Sequence, residues 1–159
     1  MANKMTRTET VAIIHQPPRI LLGMKKLRFG KGKYNGFGGG IENGETLEEC
    51  AIRETLEEAG ITIINPERFG RILFEFQTKE QAHLVYFFKV RKFIGNPVES
   101  NEIRPKWFNE TKIPYDKMWE DDKYWLPLLL REQKFAGYFH FNKENKISRY
   151  ELNRVDEIV

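Results

Sequence analysis

Glutamates dominate one short segment of this sequence. Residues 45–61 contain six glutamates and one arginine, Arg53, so the segment carries a net charge of −5. On an α-helix, at about 100° per residue, Glu54, Glu57 and Glu58 fall within one arc, and Arg53 projects in another direction. Like charges at this spacing repel and destabilise a helix. A hard divalent cation such as Mg²⁺ or Mn²⁺ binds clustered carboxylates and removes that repulsion.

The segment before these glutamates is basic and then rich in glycine. Five lysines and arginines lie between residues 25 and 33, no acidic residue follows them until Glu42, and glycines occupy four of the five positions 36–40. Glycine backbone approaches a ligand closely and offers carbonyls to a metal or N–H groups to phosphate. A basic loop beside a cation site is what a polyphosphate needs. The alternative is a solvated acidic helix face, and the adjacent glycines favour the metal site over it.

Two helices must position these groups. The first is predicted over residues 47–59, with Thr46 as N-cap, Glu49 completing a capping box and Gly60 ending the helix. A second is predicted over residues 119–133, with a proline inside it. In the first helix, the apolar residues predicted to face the core are Ile52, Leu56 and Ala59.

Short runs of β-branched and aromatic residues predict eight strands. They cover residues 10–15, 19–24, 61–64, 71–76, 83–90, 104–108, 137–141 and 147–152. The sequence Gln16-Pro17-Pro18 predicts the turn of an N-terminal hairpin. Strands on both sides of a helix, without regular alternation, predict an α+β fold in which helices cover a mixed sheet.

The composition is that of a globular protein. The 159 residues are 40% hydrophobic and 31% charged, with a net charge of +3, and we predict one domain over residues 1–159. The mild basicity does not by itself indicate a nucleic-acid partner. One cysteine, Cys50, indicates a reducing compartment. No apolar run is long enough to span a membrane, and the N-terminus shows no signal sequence. We therefore expect a cytoplasmic protein, with the nucleus or mitochondrial matrix as alternatives.

The acidic segment resembles the Nudix box, whose pattern is G-x5-E-x7-R-E-U-x-E-E-x-G-U, where U is aliphatic. Gly39 and Glu45 match its first two fixed positions, and residues 53–61 read Arg-Glu-Thr-Leu-Glu-Glu-Ala-Gly-Ile. Every fixed residue is present. Thr55 is the one departure, at a position that is otherwise aliphatic and serves packing.

The resemblance to this family extends over about residues 10–152. Segments beginning at Arg19, Asn35, Phe74, Pro97 and Met118 are similar to the MutT-homologue, or oxidised purine nucleoside triphosphate hydrolase, subfamily. That resemblance implies a Nudix fold, an α/β/α sandwich with a mixed β-sheet between helices. It also implies Mg²⁺-dependent hydrolysis of a nucleoside triphosphate to the monophosphate and pyrophosphate, with Mn²⁺ as a substitute metal.

The resemblance also implies roles for individual residues. Arg53 would orient the glutamates by ion pairing, and Gly40 stands where close relatives have a phosphate-binding lysine. Glu58 is the leading metal ligand, while the general base stays open between Glu58, Glu54 and Glu102. The implied catalytic residues are Arg53, Glu54, Glu57, Glu58 and Glu102, and the implied metal ligands are the Gly38 carbonyl, Glu54, Glu57, Glu58 and Glu102.

A separate set of residues is predicted to bind the base. Asn35 suits a purine edge, and Asp121 and Asp122 would share a proton in a dry pocket, although either could instead cap the second helix. Trp119 would stack on the base. Thr10 would form the pocket floor, Lys25 would lie near the ribose or phosphates, and His83 and Ile103 could modify the wall. The predicted substrate-binding residues are Thr10, Lys25, Phe29, Asn35, Phe37, Gly38, Gly39, Gly40, Phe74, Phe76, Trp119, Glu120, Asp121 and Asp122.

The leading hypothesis is an enzyme that removes oxidised purine nucleoside triphosphates, such as 8-oxo-dGTP and 2-oxo-dATP, from the nucleotide pool. Its partner would be a small-molecule nucleoside triphosphate, with no stable nucleic-acid partner, no membrane and a monomeric state. One alternative keeps the chemistry but takes ADP-ribose, a dinucleoside polyphosphate, a capped RNA end or a diphosphoinositol. Another is a non-catalytic nucleotide sensor, which is expected to have lost glutamates of the box. A nucleic-acid-binding protein would show steeply salt-dependent binding instead.

Overall fold

The computed structural model describes residues 5–159, and residues 1–4, part of the N-terminus considered above, lie outside the described residues. Residues 5–159 form eleven strands, two α-helices and one 3₁₀ turn at Tyr115–Lys117. The helices are α1 (Leu47–Ala59) and α2 (Asp122–Leu130). The strands are β1 (Thr6–Gln16), β2 (Arg19–Lys25), β3 (Tyr34–Asn35), β4 (Phe37–Gly40), β5 (Thr62–Ile64), β6 (Glu67–Phe76), β7 (Ala82–Val90), β8 (Lys92–Ile94), β9 (Ile103–Asn109), β10 (Phe135–Phe141) and β11 (Ile147–Arg154).

Nine strands form one mixed sheet in the order β11-β10-β6-β7-β1-β2-β3. β4 pairs with β1, and β9 pairs with β2. The pairs β1–β7 and β6–β10 are parallel, whereas the other pairs of this sheet are antiparallel. β5 and β8 form a separate two-stranded sheet. The mixed sheet predicted from the sequence is confirmed, and so is the hairpin that joins β1 to β2 around Pro17.

Side chains of the sheet alternate between two apolar clusters. On β1, Val11 and Ile13 join the cluster that includes Leu126 and Leu129 of α2. The intervening residues of β1 join the other cluster, which includes Ala51 and Ala59 of α1. This alternation is a direct consequence of the two-residue period of a strand. The helices therefore cover opposite faces of the sheet, and the α/β/α sandwich is confirmed.

Helix α1 has the bounds and caps that its sequence predicts. The Thr46 hydroxyl accepts a hydrogen bond from the Glu49 N–H, the Glu49 carboxylate accepts one from the Thr46 N–H, and Gly60 adopts a left-handed conformation with φ 71°. The prediction that Leu56 faces the core is wrong, because its side chain is 49% exposed. Buried Thr55 takes part in the packing instead, and its hydroxyl donates a 2.7 Å hydrogen bond to the Ala51 carbonyl.

Helix α2 is shorter than the 15 residues predicted for it. It begins at Asp122 because residues 119–121 form a turn, and it ends before Glu132, which adopts a left-handed conformation with φ 65°. Trp119 and Asp121 therefore lie in the segment leading into the helix. No helix among residues 5–159 is long and apolar enough to cross a membrane.

Three strands were not predicted: β3, β4 and β8. β3 and β8 are only two and three residues long, and β4 consists of Phe37 and three glycines. Glycine has little intrinsic preference for a strand, so β4 forms because β1 offers it a partner along Glu9–Ala12. This pairing brings the glycine cluster directly beneath α1.

Candidate active site

The central contact of the acidic cluster joins α1 to the glycine strand. The Gly38 N–H donates a 2.8 Å hydrogen bond to Glu58 Oε1. The strand must be glycine here, because a Cβ on Gly38 would lie 1.7 Å from the Thr10 carbonyl oxygen and one on Gly39 would lie 2.6 Å from the Glu54 carboxyl carbon. Glycines thus allow two of the predicted metal-binding carboxylates to lie against backbone.

Arg53 is the main cation of the acidic cluster. Its Nε lies 2.6 Å from Glu45 Oε1, its Nη1 lies 2.9 Å from Glu54 Oε1, and its Nη2 donates a 3.1 Å hydrogen bond to the Gly40 carbonyl. A longer contact of 3.4 Å reaches Glu57. The helical-wheel prediction that Arg53 points away from the glutamates is wrong, because the long side chain reaches back to them. This geometry agrees with the role that the family resemblance implies for Arg53, which is to orient the glutamates by ion pairing.

Burial and like charge act together on the glutamates of α1. The pKa of Glu58 is raised to about 8, and burial is the main cause; the carboxylates of Glu54 and Glu102 also raise it, whereas the Gly38 N–H and Lys25 lower it. Burial also raises the pKa of Glu54, against the ion pair with Arg53. Glu57 is 58% exposed. Glu102 is half exposed, with its Oε1 3.5 Å from Arg28.

This donor set fits a hard divalent cation in its chemistry. Several carboxylates repel one another around Glu58, and a bound cation would stabilise their charged forms. Within residues 5–159, however, no group of three or more acidic, histidine or cysteine side chains is gathered closely enough to hold an ion. Gly38 and Arg53 hold Glu58 and Glu54 in this conformation. A metal would have to take over or share those contacts.

A cavity of about 180 Å³ lies on the other face of the sheet, where the α2 cluster packs. Six of the fourteen residues in its wall are phenylalanine or tryptophan. Trp119 contacts Phe29 at a centroid distance of 5.0 Å, Phe141 at 5.5 Å and Phe76 at 5.9 Å. The residues that line it are Glu9, Val11, Lys25, Phe29, Asn35, Phe74, Phe76, Lys79, His83, Val85, Phe87, Trp119, Asp121 and Phe141.

Two adjacent carboxyl groups lie at the α2 end of this cavity. Asp121 and Asp122 are both buried and interact with each other, and Asp121 Oδ2 accepts a 2.7 Å hydrogen bond from Trp125 Nε1. Asp122 Oδ2 has no hydrogen-bond partner among the described residues. Burial raises the pKa of Asp121 to about 6, and burial together with the Asp121 charge raises the pKa of Asp122 well above its ordinary value. Neither side chain caps α2, so the capping alternative is wrong.

Comparison with known proteins supports both the identification of the Nudix box and the fold. Residues 5–129 match the NUDIX domain family. The chain belongs to the Nudix family. It is 44% identical to the "Oxidized purine nucleoside triphosphate hydrolase" of zebrafish, over 94% of this chain and 96% of that protein. It is also 44% identical to the mouse protein of the same name, over 95% of this chain and 97% of the mouse protein. A crystal structure of a MutT protein from Bacillus halodurans superposes with a TM-score of 0.83 at 26% identity, over 92% and 97% of the two chains.

As a Nudix hydrolase, the chain is an enzyme, and divalent metals are general in its family. Seven of the predicted substrate-binding residues line the cavity: Lys25, Phe29, Asn35, Phe74, Phe76, Trp119 and Asp121. The glycines predicted for the same set lie instead beside the α1 carboxylates. The binding set thus divides between the two faces of the Nudix sheet.

Four other predicted substrate-binding residues do not line the cavity. The prediction that Thr10 forms the pocket floor is wrong, because Thr10 faces α1 and its hydroxyl lies 3.3 Å from Cys50 Sγ. Phe37 is buried on the same face as Thr10. Glu120 accepts a hydrogen bond from the Ile147 N–H, and Asp122 is buried without lining the cavity. Ile103 also belongs to the α1 cluster and does not form the wall.

The sequence analysis missed several residues of the wall. Glu9 and Val11 alternate along β1, and Val85 and Phe87 continue the face of β7 that begins with His83. Strand periodicity from His83 could have found Val85 and Phe87, whereas the same period from the predicted Thr10 selects the wrong face of β1. Phe141 of β10 and Lys79 complete the set. The Lys79 ammonium lies 3.3 Å from the centroid of the Phe29 ring, and desolvation lowers the pKa of Lys79.

Two cations lie near the Nudix box, and one of them, Lys25, also lines the cavity. Lys25 lines the cavity, and its charge also lowers the pKa of Glu58. The guanidinium of exposed Arg7 fills the space above Gly40, because a Cβ on that glycine would lie 2.5 Å from Arg7 Nη2. A positive group therefore occupies the place where close relatives are expected to carry a lysine side chain.

Proposed function

We propose that this Nudix enzyme hydrolyses oxidised purine nucleoside triphosphates to the monophosphate and pyrophosphate, with Mg²⁺ as the metal and Mn²⁺ as a substitute. One observation carries the proposal: Lys25 lines an aromatic cavity containing Asp121 and also acts electrostatically on Glu58 of the Nudix box. A nucleotide needs this continuity, because its base and its phosphates must be held at once. The printed names of the zebrafish and mouse relatives support the same substrate class.

In this proposal the base enters the cavity and stacks on Trp119. Asn35 offers both a donor and an acceptor to the purine edge. Asp121 and Asp122 share a proton, so that Asp121, which lines the cavity, can either donate a hydrogen bond to the base or accept one. The burial of both groups supports this role, because two charged carboxylates are strongly disfavoured side by side in an apolar pocket.

The phosphates extend from the cavity past Lys25 toward α1. Glu58, Glu54, Glu57, Glu102 and the Gly38 carbonyl would hold the metal, which supplies charge neutralisation when bound. Arg53 keeps Glu54 in place, and Glu58, Glu54 or Glu102 accepts the proton of the attacking water. Water adds to phosphorus, pyrophosphate leaves, and the nucleoside monophosphate remains.

The second candidate function is the same class of hydrolysis with a different substrate, such as ADP-ribose or a dinucleoside polyphosphate. The aromatic cavity, of about 180 Å³, favours a single base. The intact glutamates of the box favour an enzyme over a nucleotide sensor. We further propose that one chain acts alone, as a single domain, in the cytoplasm and on free nucleotides. The unpaired thiol of Cys50 supports a reducing compartment.

The experiment that tests this function is turnover with Mg²⁺ on a panel of nucleotides. The panel contains 8-oxo-dGTP, 2-oxo-dATP, dGTP, dATP, ADP-ribose and a dinucleoside polyphosphate, with pyrophosphate and monophosphate both measured. We expect preference for the oxidised triphosphates and release of pyrophosphate. Turnover of ADP-ribose or the dinucleotide instead would overturn the assignment of the base while keeping the chemistry. No turnover of any would overturn the proposal in favour of a sensor.

A further inference from the structure

One pair of polar residues in the cavity wall has no role in the function proposed above. Glu9 on β1 and His83 on β7 both line the cavity, and His83 Nδ1 bonds the Glu9 carboxylate. His83 Nε2 is buried and has no hydrogen-bond partner among the described residues. A buried polar nitrogen without a protein partner is costly, and a ligand in the adjoining cavity can supply the hydrogen bond.

The contact with Glu9 determines what His83 offers to that ligand. A carboxylate only accepts hydrogen bonds, so it fixes the ring proton on Nδ1. In the neutral ring, Nε2 then presents a lone pair and acts as an acceptor. The ring is held in place by strand pairing opposite Phe74 and by an edge contact with Phe76 at 5.7 Å between centroids. The pair is therefore a fixed acceptor in the wall of a base-sized cavity.

Oxidation at C8 adds a carbonyl oxygen to a purine ring and changes the hydrogen bonding of N7 in the matching way. In an ordinary purine, N7 carries a lone pair and is an acceptor. In an 8-oxopurine, N7 carries a hydrogen and is a donor. An acceptor in the wall forms a hydrogen bond with the N7–H of the 8-oxopurine. In the ordinary purine the same acceptor faces the lone pair of N7. The Watson–Crick edge of guanine is the same in both forms, so groups that read only that edge do not distinguish them.

We propose that His83, oriented by Glu9, is a specificity-determining residue that accepts a hydrogen bond from the N7–H of 8-oxopurine nucleotides. This inference rests on the proposed function. It assigns discrimination between oxidised and ordinary guanine to a wall formed by β1 and β7, separate from Asn35, Asp121 and Asp122. A site built to bond a donor rejects an analogue that lacks it, because its own acceptor is left unpaired.

Three variants and a control test this assignment. His83→Met removes both ring nitrogens and keeps an apolar side chain. Glu9→Leu removes the carboxylate that fixes the ring proton, whereas Glu9→Gln keeps an acceptor oxygen beside Nδ1. The control is His140→Met, which removes a ring outside the cavity wall. For each variant, kcat/KM is measured with 8-oxo-dGTP, dGTP and 2-oxo-dATP, whose N7 is an unmodified acceptor.

We expect His83→Met and Glu9→Leu to lower kcat/KM for 8-oxo-dGTP by about 5- to 50-fold while changing dGTP and 2-oxo-dATP less than about threefold. Glu9→Gln and His140→Met should keep the wild-type ratio of 8-oxo-dGTP to dGTP. Binding of 8-oxo-dGMP and dGMP, measured by calorimetry, should show the same change in ratio without any turnover.

Equal losses on all three triphosphates would overturn the inference, because they would indicate a sugar contact or a purely structural role. An unchanged ratio in His83→Met would also overturn it. The proposed function fails separately, if the wild-type protein does not hydrolyse oxidised triphosphates at all.

Discussion

The backbone N–H of Gly38 donates a 2.8 Å hydrogen bond to the buried carboxylate of Glu58, and this contact joins the glycine strand to helix α1. It holds Glu58 against β4, on the side of the sheet opposite the cavity. The contact favours the charged form of this carboxyl, but burial outweighs it and raises the pKa of Glu58 to about 8. The same residue is therefore central both to the packing of α1 and to the proposed chemistry.

Glu58→Gln should separate these two roles. The amide oxygen can still accept the Gly38 hydrogen bond, so the fold and nucleotide binding should persist. The lost charge should lower kcat by at least about 100-fold, measured by pyrophosphate release with Mg²⁺. Glu144→Gln, on an exposed turn, is the control and should leave kcat unchanged. Loss of binding with unchanged turnover of each bound substrate would contradict the role of Glu58.

Arg53→Lys tests whether Arg53 orients the glutamates by its geometry or by its charge alone. Lysine keeps the charge but has no fork to contact Glu45, Glu54 and the Gly40 carbonyl together. We expect a loss of about 10- to 100-fold in kcat or in metal activation. Arg68→Lys is a matched control, since Arg68 pairs with Glu48 of the same helix away from the box. Similar losses in the two variants would show a general effect on α1.

The pH dependence of stability should reveal the carboxyl pair in the cavity. The pKa of Asp121 is raised to about 6 from an ordinary 3.8, so the folded state binds this proton more tightly than the unfolded state does. The resulting stabilisation is complete below pH 3.8 and is lost as the pH rises through about 6. In urea titrations, Asp121→Asn should reduce the fall in unfolding free energy between pH 4 and pH 7 by on the order of 1–3 kcal/mol.

Asp116→Asn, at an exposed aspartate of the 3₁₀ turn, serves as the control for that titration. Its pH profile should match the wild type. If Asp121→Asn also retained the full wild-type profile, a shared proton in this pair would be refuted.

Arg7 and Gly40 should behave as one functional unit. Because the Arg7 guanidinium lies over Gly40, we expect Arg7→Gln to raise KM for the triphosphate by about 3- to 10-fold with little change in kcat. Adding Gly40→Lys to Arg7→Gln should restore KM, since the lysine can then enter the vacated space. Arg154→Gln on β11 is the control. Additive effects of the two substitutions would count against a shared site.

Thr55→Val tests the departure from the aliphatic position of the Nudix box. The Thr55 hydroxyl donates to the Ala51 carbonyl four residues earlier, an arrangement that slightly destabilises helices. Valine replaces the hydroxyl with a methyl in a fully buried site, so the free energy of unfolding should rise by about 0.5–1 kcal/mol with unchanged kcat. Thr62→Val, at an exposed position, should change stability less. A lower stability in Thr55→Val would show that the hydroxyl bond supports α1.

The sequence predicted those features that local chemistry dictates. The capping residues and Gly60 define α1 by their own preferences, and the β-branched and aromatic runs locate eight strands to within a few residues. The prediction from sequence failed where contact with a residue distant in the chain decides the conformation. β4 is a strand because β1 pairs with it, and Leu56 is exposed because Thr55 and Ala59 occupy the buried side of α1.

The candidate site also divides into residues that local sequence predicted and residues that distant contacts position. The box pattern identified the acidic cluster, but a helical wheel could not show that Arg53 reaches back to Glu45 and Glu54. Trp119 and Asp121 were predicted for the cavity and line it. Thr10 was misplaced because the choice of face depends on strand register, which the neighbouring strands set.

Strand β1 separates the two halves of the site by parity. Its odd-numbered residues Glu9 and Val11 line the cavity, whereas even-numbered Thr10 faces α1. Pairing with β2, β4 and β7 fixes this register. Randomising only Glu9 and Val11 would therefore vary which base is accepted and leave the face of β1 beneath α1 unchanged. A one-residue insertion would exchange the two surfaces and disable both, so this strand can diversify by substitution but not by a change in length.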